Sequence, residues 1–190
     1  MELNSLLSFL VKVVDKEDEV NILVDSGKVT EEVRSILKKF EDRIVVNERT
    51  FCGNFSEHRN YHITKCTGDY IFVLDADEIP QELLIKNIKN FDSDILVVPR
   101  INIIPGYTEE WCKKLGFNVN EMGWINWPDY QGRLFKNNGK IRWSRGLHER
   151  LIGSDKVKSI PANPQFSLWH IKSVEKQEKQ DTFYNNLKKN

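Results

Sequence analysis

The period of the hydrophobic pattern changes repeatedly along the chain, and each change marks an element. Leu6, Leu7, Leu10 and Val14 recur at helical spacing within residues 4–15, which predicts a short amphipathic helix. Val20 to Val24 is a compact, β-branched run that stops at Asp25-Ser26-Gly27, the pattern of a buried parallel strand. Thr30 then precedes Val33, Ile36, Leu37 and Phe40, predicting a capped helix. Arg43 to Asn47 reads as a short strand. Asn54 or Ser56 can cap a helix running to about Thr67, with Gly68 as its stop. Tyr70 to Leu74 carries the strongest strand signal and breaks off at Asp75-Ala76-Asp77-Glu78. Pro80 stands where a proline opens a helix, expected from Glu82 to about Asn90, before a strand over Ile95 to Val98.

Residues 20–99 therefore alternate strand and helix, the pattern of a parallel sheet with helices on both faces. Beyond Pro99 the pattern changes. Residues 105–130 are rich in Gly, Trp, Asn and Tyr without a clear period, which reads as an ordered functional loop. Gln131 to Lys136 and Lys140 to Ser144 are expected to pair as a β-hairpin through Asn137-Asn138-Gly139. A strand around Phe166 to His170 precedes a charged helix over 173–188. The fold class expected is α/β: a mostly parallel sheet flanked by helices, with a C-terminal hairpin and loop region, in one domain spanning 1–190.

Composition narrows the function. A chain of 190 residues is long enough for one real core. Lysine plus arginine equal aspartate plus glutamate at 28 each, so no bulk positive field exists to hold nucleic acid or an anionic membrane. The three cysteines, Cys52, Cys66 and Cys112, are widely spaced and lack CxxC patterning, which argues against a disulfide framework or structural zinc and for a reducing, cytoplasmic compartment. The apolar stretch Leu6 to Val14 is too short to span a bilayer and has no signal-peptide pattern.

The candidate chemistry begins at Asp75 and Asp77. In open parallel sheets the ligand crevice lies at the carboxyl ends of the strands, where this pair is expected. In extended chain the two carboxylates point to one side, as an oxygen-rich pair suited to Mn²⁺ or Mg²⁺ bridging a diphosphate. The alternative is a polar turn that merely ends a strand. An EF-hand loop starting at Asp75 is excluded, because its sixth and twelfth positions hold Pro80 and Lys86 instead of Gly and Glu. A haloacid-dehalogenase-like phosphatase would place this motif near the N-terminus and add a second acidic pair, and neither is clear here.

Around this motif, Gly53-Asn54-Phe55-Ser56-Glu57-His58-Arg59-Asn60, Gly68-Asp69-Tyr70 and Leu74-Asp75-Ala76-Asp77-Glu78 closely resemble family-2 glycosyltransferases of the GT-A fold, most of all the lipopolysaccharide-core glucosyltransferase branch. Trp127-Pro128-Asp129-Tyr130-Gln131, Arg133-Leu134-Phe135, Gly146-Leu147-His148-Glu149 and a final His170 follow in the same order. The resemblance implies that Asp75 and Asp77 hold metal and donor diphosphate, that His170 completes the metal site, and that Glu149 is the catalytic base. It implies that Asp25 and Arg59 read the nucleotide base, uracil best, with thymine offering the same edge. It also divides the chain into a nucleotide-sugar half, 1–99, and an acceptor and catalytic half, 100–190. The activity implied is inverting, metal-dependent transfer from a UDP-sugar to a glycan or glycolipid hydroxyl.

Each assignment has a plainer counterpart. His170 can be a packed histidine beside Trp169, Glu149 a salt bridge to Arg145 or Arg150, Asp25 a turn residue and Arg59 a solvated helix position. Arg133 can brace the diphosphate or pair with an acid. Trp111, Trp124, Trp127 and Tyr130 suit sugar stacking or a local mini-core. His58 and His62 read as structural. The resemblance starts at the helix after the family's first strand; that strand sits mid-sheet, so a gap or a rearranged sheet is expected. Two other classes stay open: a nucleotidyltransferase of related fold, which lacks the expected Gly-rich basic loop here, and a non-catalytic nucleotide- or sugar-binding remnant.

Overall fold

The computed structural model describes residues 2–187. Helix α1 (Glu2–Val13) buries Leu6, Leu7 and Leu10 on one stripe, as their spacing dictates. Strand β1 (Asn21–Val24) follows, then α2 (Glu31–Lys38), whose first free N–H groups are met by the Thr30 side chain accepting from Val33. Strand β2 (Val45–Glu48) pairs parallel with β1, and α1 and α2 cover this pair through a core that includes Val20, Val24, Ile36, Leu37 and Ile44. Helix α3 (Phe55–Ile63) is capped by Asn54 rather than Ser56 and stops short of the predicted Thr67.

Strands β3 (Tyr70–Phe72) and β4 (Glu78–Pro80) flank the Asp75 turn. Pro80 closes a strand instead of opening a helix. Strand β4 is at the sheet edge, where the missing N–H of a proline is harmless, and α4 (Glu82–Asn87) starts just after it. Strand β5 (Ile95–Ile103) is the longest buried one, five residues longer than the predicted Ile95–Val98. The irregular segment contains α5 (Glu109–Leu115) and the beginning of β6 (Ile125–Lys136). The remaining elements are β7 (Arg142–Ser144), β8 (Arg150–Ile152), β9 (Val157–Ser159), β10 (Leu168–Ile171) and α6 (Val174–Leu187).

The α/β class holds, and the pairing inside it is mixed instead of mostly parallel. The large sheet runs β3-β6-β5-β10-β4 with β9 also on β5. Strands β5/β10 and β5/β9 are parallel, whereas β3/β6, β5/β6 and β4/β10 are antiparallel. The expected hairpin between 131–136 and 140–144 does not form. Its turn does: Gly139 takes φ 72 and the Asn138 side chain accepts from Lys140 and Ile141. Strand β6 is already paired on both edges, with β3 and β5, so β7 leaves the sheet and pairs antiparallel with β8.

Among the described residues no strand joins β1 to β3, so β1 and β2 form a sheet of their own beside the large one, the gap expected above. The two parts are held by side chains instead. Asn21 donates to the Lys65 carbonyl at 2.9 Å and contacts His62 at 3.0 Å, Thr67 donates to Glu19 at 2.8 Å, and Leu74 packs against both cores.

Gly153, just after β8, has φ +108, and a Cβ there would lie 2.2 Å from the Lys140 carbonyl oxygen. Gly139 is also left-handed but has nothing within 4 Å. Gly153→Ala is expected to cost at least about 1–3 kcal/mol of backbone strain plus the collision, and Gly139→Ala only the strain of roughly 1–2 kcal/mol. Urea denaturation of the two variants checks the order; equal midpoints would refute it.

Candidate active site

The turn after β3 breaks the extended alternation that would align Asp75 with Asp77. The Asp75 carbonyl accepts from the Glu78 N–H at 2.9 Å, a tight turn through Ala76 and Asp77, and Glu78 returns a carboxylate oxygen to the Asp75 N–H at 3.1 Å. The two aspartates therefore have different partners. Asp75 accepts from Arg59 at 2.8 Å and Arg133 at 3.0 Å; Asp77 lies 3.3 Å from His170 Nε2 and 3.1 Å from Lys176 Nζ. Burial pushes the Asp75 carboxyl up, but Arg133 and Arg59 outweigh it and hold it below the usual carboxylate range. Asp77 is likewise opposed by burial and held low by His170 and Lys176.

Beneath Asp75 is a buried charge ladder. Glu78 is fully buried between Arg133 and Arg100, with the Arg100 contact at 2.8 Å. Arg100 reaches on to Asp129 at 2.6 Å, its direct partner in the β5/β6 register. Arg133 thus pairs with acids, Asp75 and Glu78, and is itself buried. Asn102 donates through Nδ2 to Asp129 at 2.9 Å and contacts His170 Nδ1 through Oδ1 at 2.7 Å.

That last contact fixes the His170 tautomer. Because the Asn102 amide nitrogen is committed to Asp129 and the Ile125 carbonyl, Oδ1 must accept, and Nδ1 of His170 must carry the proton. With Nδ1 protonated, Nε2 faces the Asp77 carboxylate either as a second N–H donor or as a lone pair, and in the second form a cation between them would be held by both groups. The pair fits a divalent ion that takes its other ligands from phosphate and water. Of the three expected metal ligands, the structure brings together two, Asp77 and His170, while Asp75 is taken by its arginines. Among the described residues no three His, Cys, Asp or Glu side chains converge as a metal cluster.

Glu149 is in the connection between β7 and β8, its side chain 14% exposed, and accepts from Arg59 Nε at 2.8 Å. Neither Arg145 nor Arg150 is its partner. The connection is pinned from α3: Asn60 donates to the Trp143 carbonyl at 2.9 Å and accepts from its N–H at 2.8 Å, and Phe55 N–H donates to the Gly146 carbonyl. Arg59 lies over the Trp143 ring, 5.0 Å from its centroid, so one guanidinium is stacked and forked between Glu149 and Asp75.

Arg59 consequently does not share the Asp25 site; His58 does. Asp25 accepts from the Gly27 and Phe51 N–H groups, both at 3.0 Å and both through Oδ1. It borders an open cavity of about 240 Å³ lined by Lys28, Phe51, Phe55, His58 and Phe183. Nδ1 of His58 is itself buried, without a partner among the described residues. Burial lowers the His58 pKa, with Arg49 adding to the effect, which favours a neutral ring. Two neighbouring positions on one helix thus serve different sites, a distinction that sequence spacing does not reveal. Trp111 packs on Phe117 in a local core, whereas Trp124 and Trp127 form a half-buried T-shaped pair.

The structure is similar to those of S. aureus TarS. Against residues 1–349 of that protein the TM-score is 0.60 at 15% identity, covering 90% of this chain and 56% of that one. Against the same fragment in complex with UDP-GlcNAc the TM-score is 0.56 at 14% identity, covering 90% and 54%, and in complex with UDP it is 0.58 at 15%, covering 95% and 60%. This likeness establishes the fold, and the chain spans only a little over half of those fragments. No curated protein matches it significantly. Among the described residues no helix is long and apolar enough to cross a membrane. The family model "Glycosyl transferase family 2" matches residues 2–153, ending before His170 and α6. This chain belongs to glycosyl transferase family 2.

Proposed function

We propose that the chain transfers a sugar, with inversion, from a nucleoside diphosphate carrier to an acceptor hydroxyl on a glycan or glycolipid. The observation that carries this reading is the position of Glu149: a half-enclosed carboxylate joined through Arg59 to Asp75 in a member of this family. Residues 1–99 hold the donor, with Asp25 at the base, and 100–190 bring the base catalyst and the acceptor. UDP is the carrier proposed, since a carboxylate accepts from the uracil ring N–H and a similar fold has been solved in complex with UDP-GlcNAc. The three free cysteines suit a reducing, cytoplasmic setting.

In the transfer, Glu149 removes the acceptor hydroxyl proton as that oxygen attacks the anomeric carbon, and the nucleoside diphosphate leaves from the opposite face. Arg59 holds the carboxylate in place and, with Arg133, keeps Asp75 ionised beside it. Asp77 and His170 would hold Mn²⁺ or Mg²⁺, which supplies positive charge to the leaving diphosphate. Trp124 and Trp127 offer aromatic faces for the acceptor.

Three outcomes test the reading. With so few protein ligands, Mn²⁺ is expected to bind weakly to the protein alone and much more tightly with UDP present; equal affinities by calorimetry would remove the metal from the mechanism. Asp25→Ala is expected to weaken UDP binding, and unchanged affinity would move base recognition elsewhere. Glu149→Gln keeps the hydrogen bond from Arg59 but loses the basic oxygen pair. Donor and metal binding should survive while transfer falls by roughly a hundredfold to ten-thousandfold. Near-normal turnover would exclude Glu149 as the base and make Asp129 the next candidate.

A further inference from the structure

We propose that helix α6 forms the second wall of the donor site, with Phe183 against the nucleobase and Lys176 on the diphosphate. This rests on the functional reading above and adds two residues outside the segment that matches the family model.

Helix α6 is not a core helix: among its described residues none is buried, and it presents no strong apolar stripe. Val174 packs against the core cluster of Ile104 and Glu178 accepts from Trp111, while other α6 contacts reach the two ends of the candidate donor cleft. Near its start, Lys176 Nζ is 3.1 Å from Asp77 and 2.7 Å from Glu2. Two turns on, Phe183 lines the cavity of Asp25 and His58, meets Phe55 edge-to-face at 6.4 Å, and lies under Lys28 Nζ at 5.0 Å. Tyr184 beside it packs on Phe55 and on His148, the neighbour of Glu149.

The spacing fits one ligand. Seven residues return to nearly the same helix face after a rise of about 10 Å. That is the reach of an extended nucleoside diphosphate from its ring to its terminal phosphate. At one end the cavity is bordered by aromatic faces, the Asp25 carboxylate and the His58 ring, which is what a polar-edged planar ring requires. At the other end an ammonium lies against Asp77, with the buried ammonium of Lys172 held nearby by Gln180 of the same helix at 2.7 Å. A single turn of lysine side chain carries that charge from Asp77 onto a phosphate oxygen. The cavity stands open with Phe183 in place, so the ring bounds the space and does not fill it.

Isothermal titration with the full chain decides this. The ligands are UDP, dTDP, GDP and ADP in Mg²⁺, then the nucleoside of whichever diphosphate binds best. Phe183→Ala should weaken nucleotide and nucleoside alike, roughly tenfold. Lys176→Met should weaken the nucleotide and leave the nucleoside unchanged. No described α6 side chain is fully buried, so both variants should stay folded, Phe183→Ala melting slightly lower for its lost contact with Phe55, and the nucleoside arm separates loss of a contact from loss of the helix. Unchanged or tighter nucleotide binding by both variants, with the wild type binding normally, would overturn the assignment to α6 alone. A wild type that binds none of the four would overturn the donor reading itself, and this inference with it.

Discussion

Glu78 is a carboxylate with no access to solvent, and the protein is organised around keeping it neutralised. A buried charge without partners costs several kcal/mol, so Glu78 requires both Arg133 and Arg100. Each arginine then needs a second acid, and these are Asp75 and Asp129. The candidate site grows outward from that requirement. The Glu78 carboxylate also accepts the Asp75 N–H, so the same residue that anchors the charges shapes the turn that separates Asp75 from Asp77. Three strands contribute, β4, β5 and β6, which makes sheet pairing a precondition for the charge ladder.

From this ladder the polar contacts run both ways. One branch passes through Asp75 and Arg59 to Glu149; the other passes through Asp129 and Asn102 to His170 and Asp77. The two groups with the most chemical potential, the Glu149 carboxylate and the Asp77–His170 pair, are thus the outer ends of one buried network. Rigid strands hold the Asp–His end through β10, whereas the Glu149 end is on a connection and depends on Asn60 gripping Trp143. Precision at Glu149 is supplied by side chain to backbone hydrogen bonds where a regular strand is absent.

Local chemistry was legible in the sequence, and long-range pairing was not. Thr30 and Asn54 cap the helices that their spacing foretold, and the Asn138-Gly139 turn forms with the conformation its residues favour. Which strand a turn delivers to depends on edges that distant segments occupy: β3 and β5 had already taken both edges of β6, so the hairpin went elsewhere. Pro80 misled because a proline is equally at home at a helix start and on an edge strand, and only the sheet order distinguishes them. The resemblance named Asp77 and His170 together, and the structure sets them 3.3 Å apart. The resemblance could not say that Arg59 and His58, adjacent on α3, turn toward different partners, because a helix rotates neighbours by about 100° and packing decides which direction is which.

Arg59 serves Glu149 and Asp75 with a single guanidinium, through Nε on one side and an amino nitrogen on the other. The two carboxylates therefore share a counterion, and neither can be altered in isolation. Removing Asp75 leaves Arg59 wholly to Glu149; removing Glu149 leaves it wholly to Asp75. Single substitutions at these positions will report redistribution of that positive charge along with loss of the group itself, and their effects will not add. Apportioning roles in this site calls for thermodynamic cycles that include Arg59 as a third corner, since any pair measured without it counts the shared cation twice.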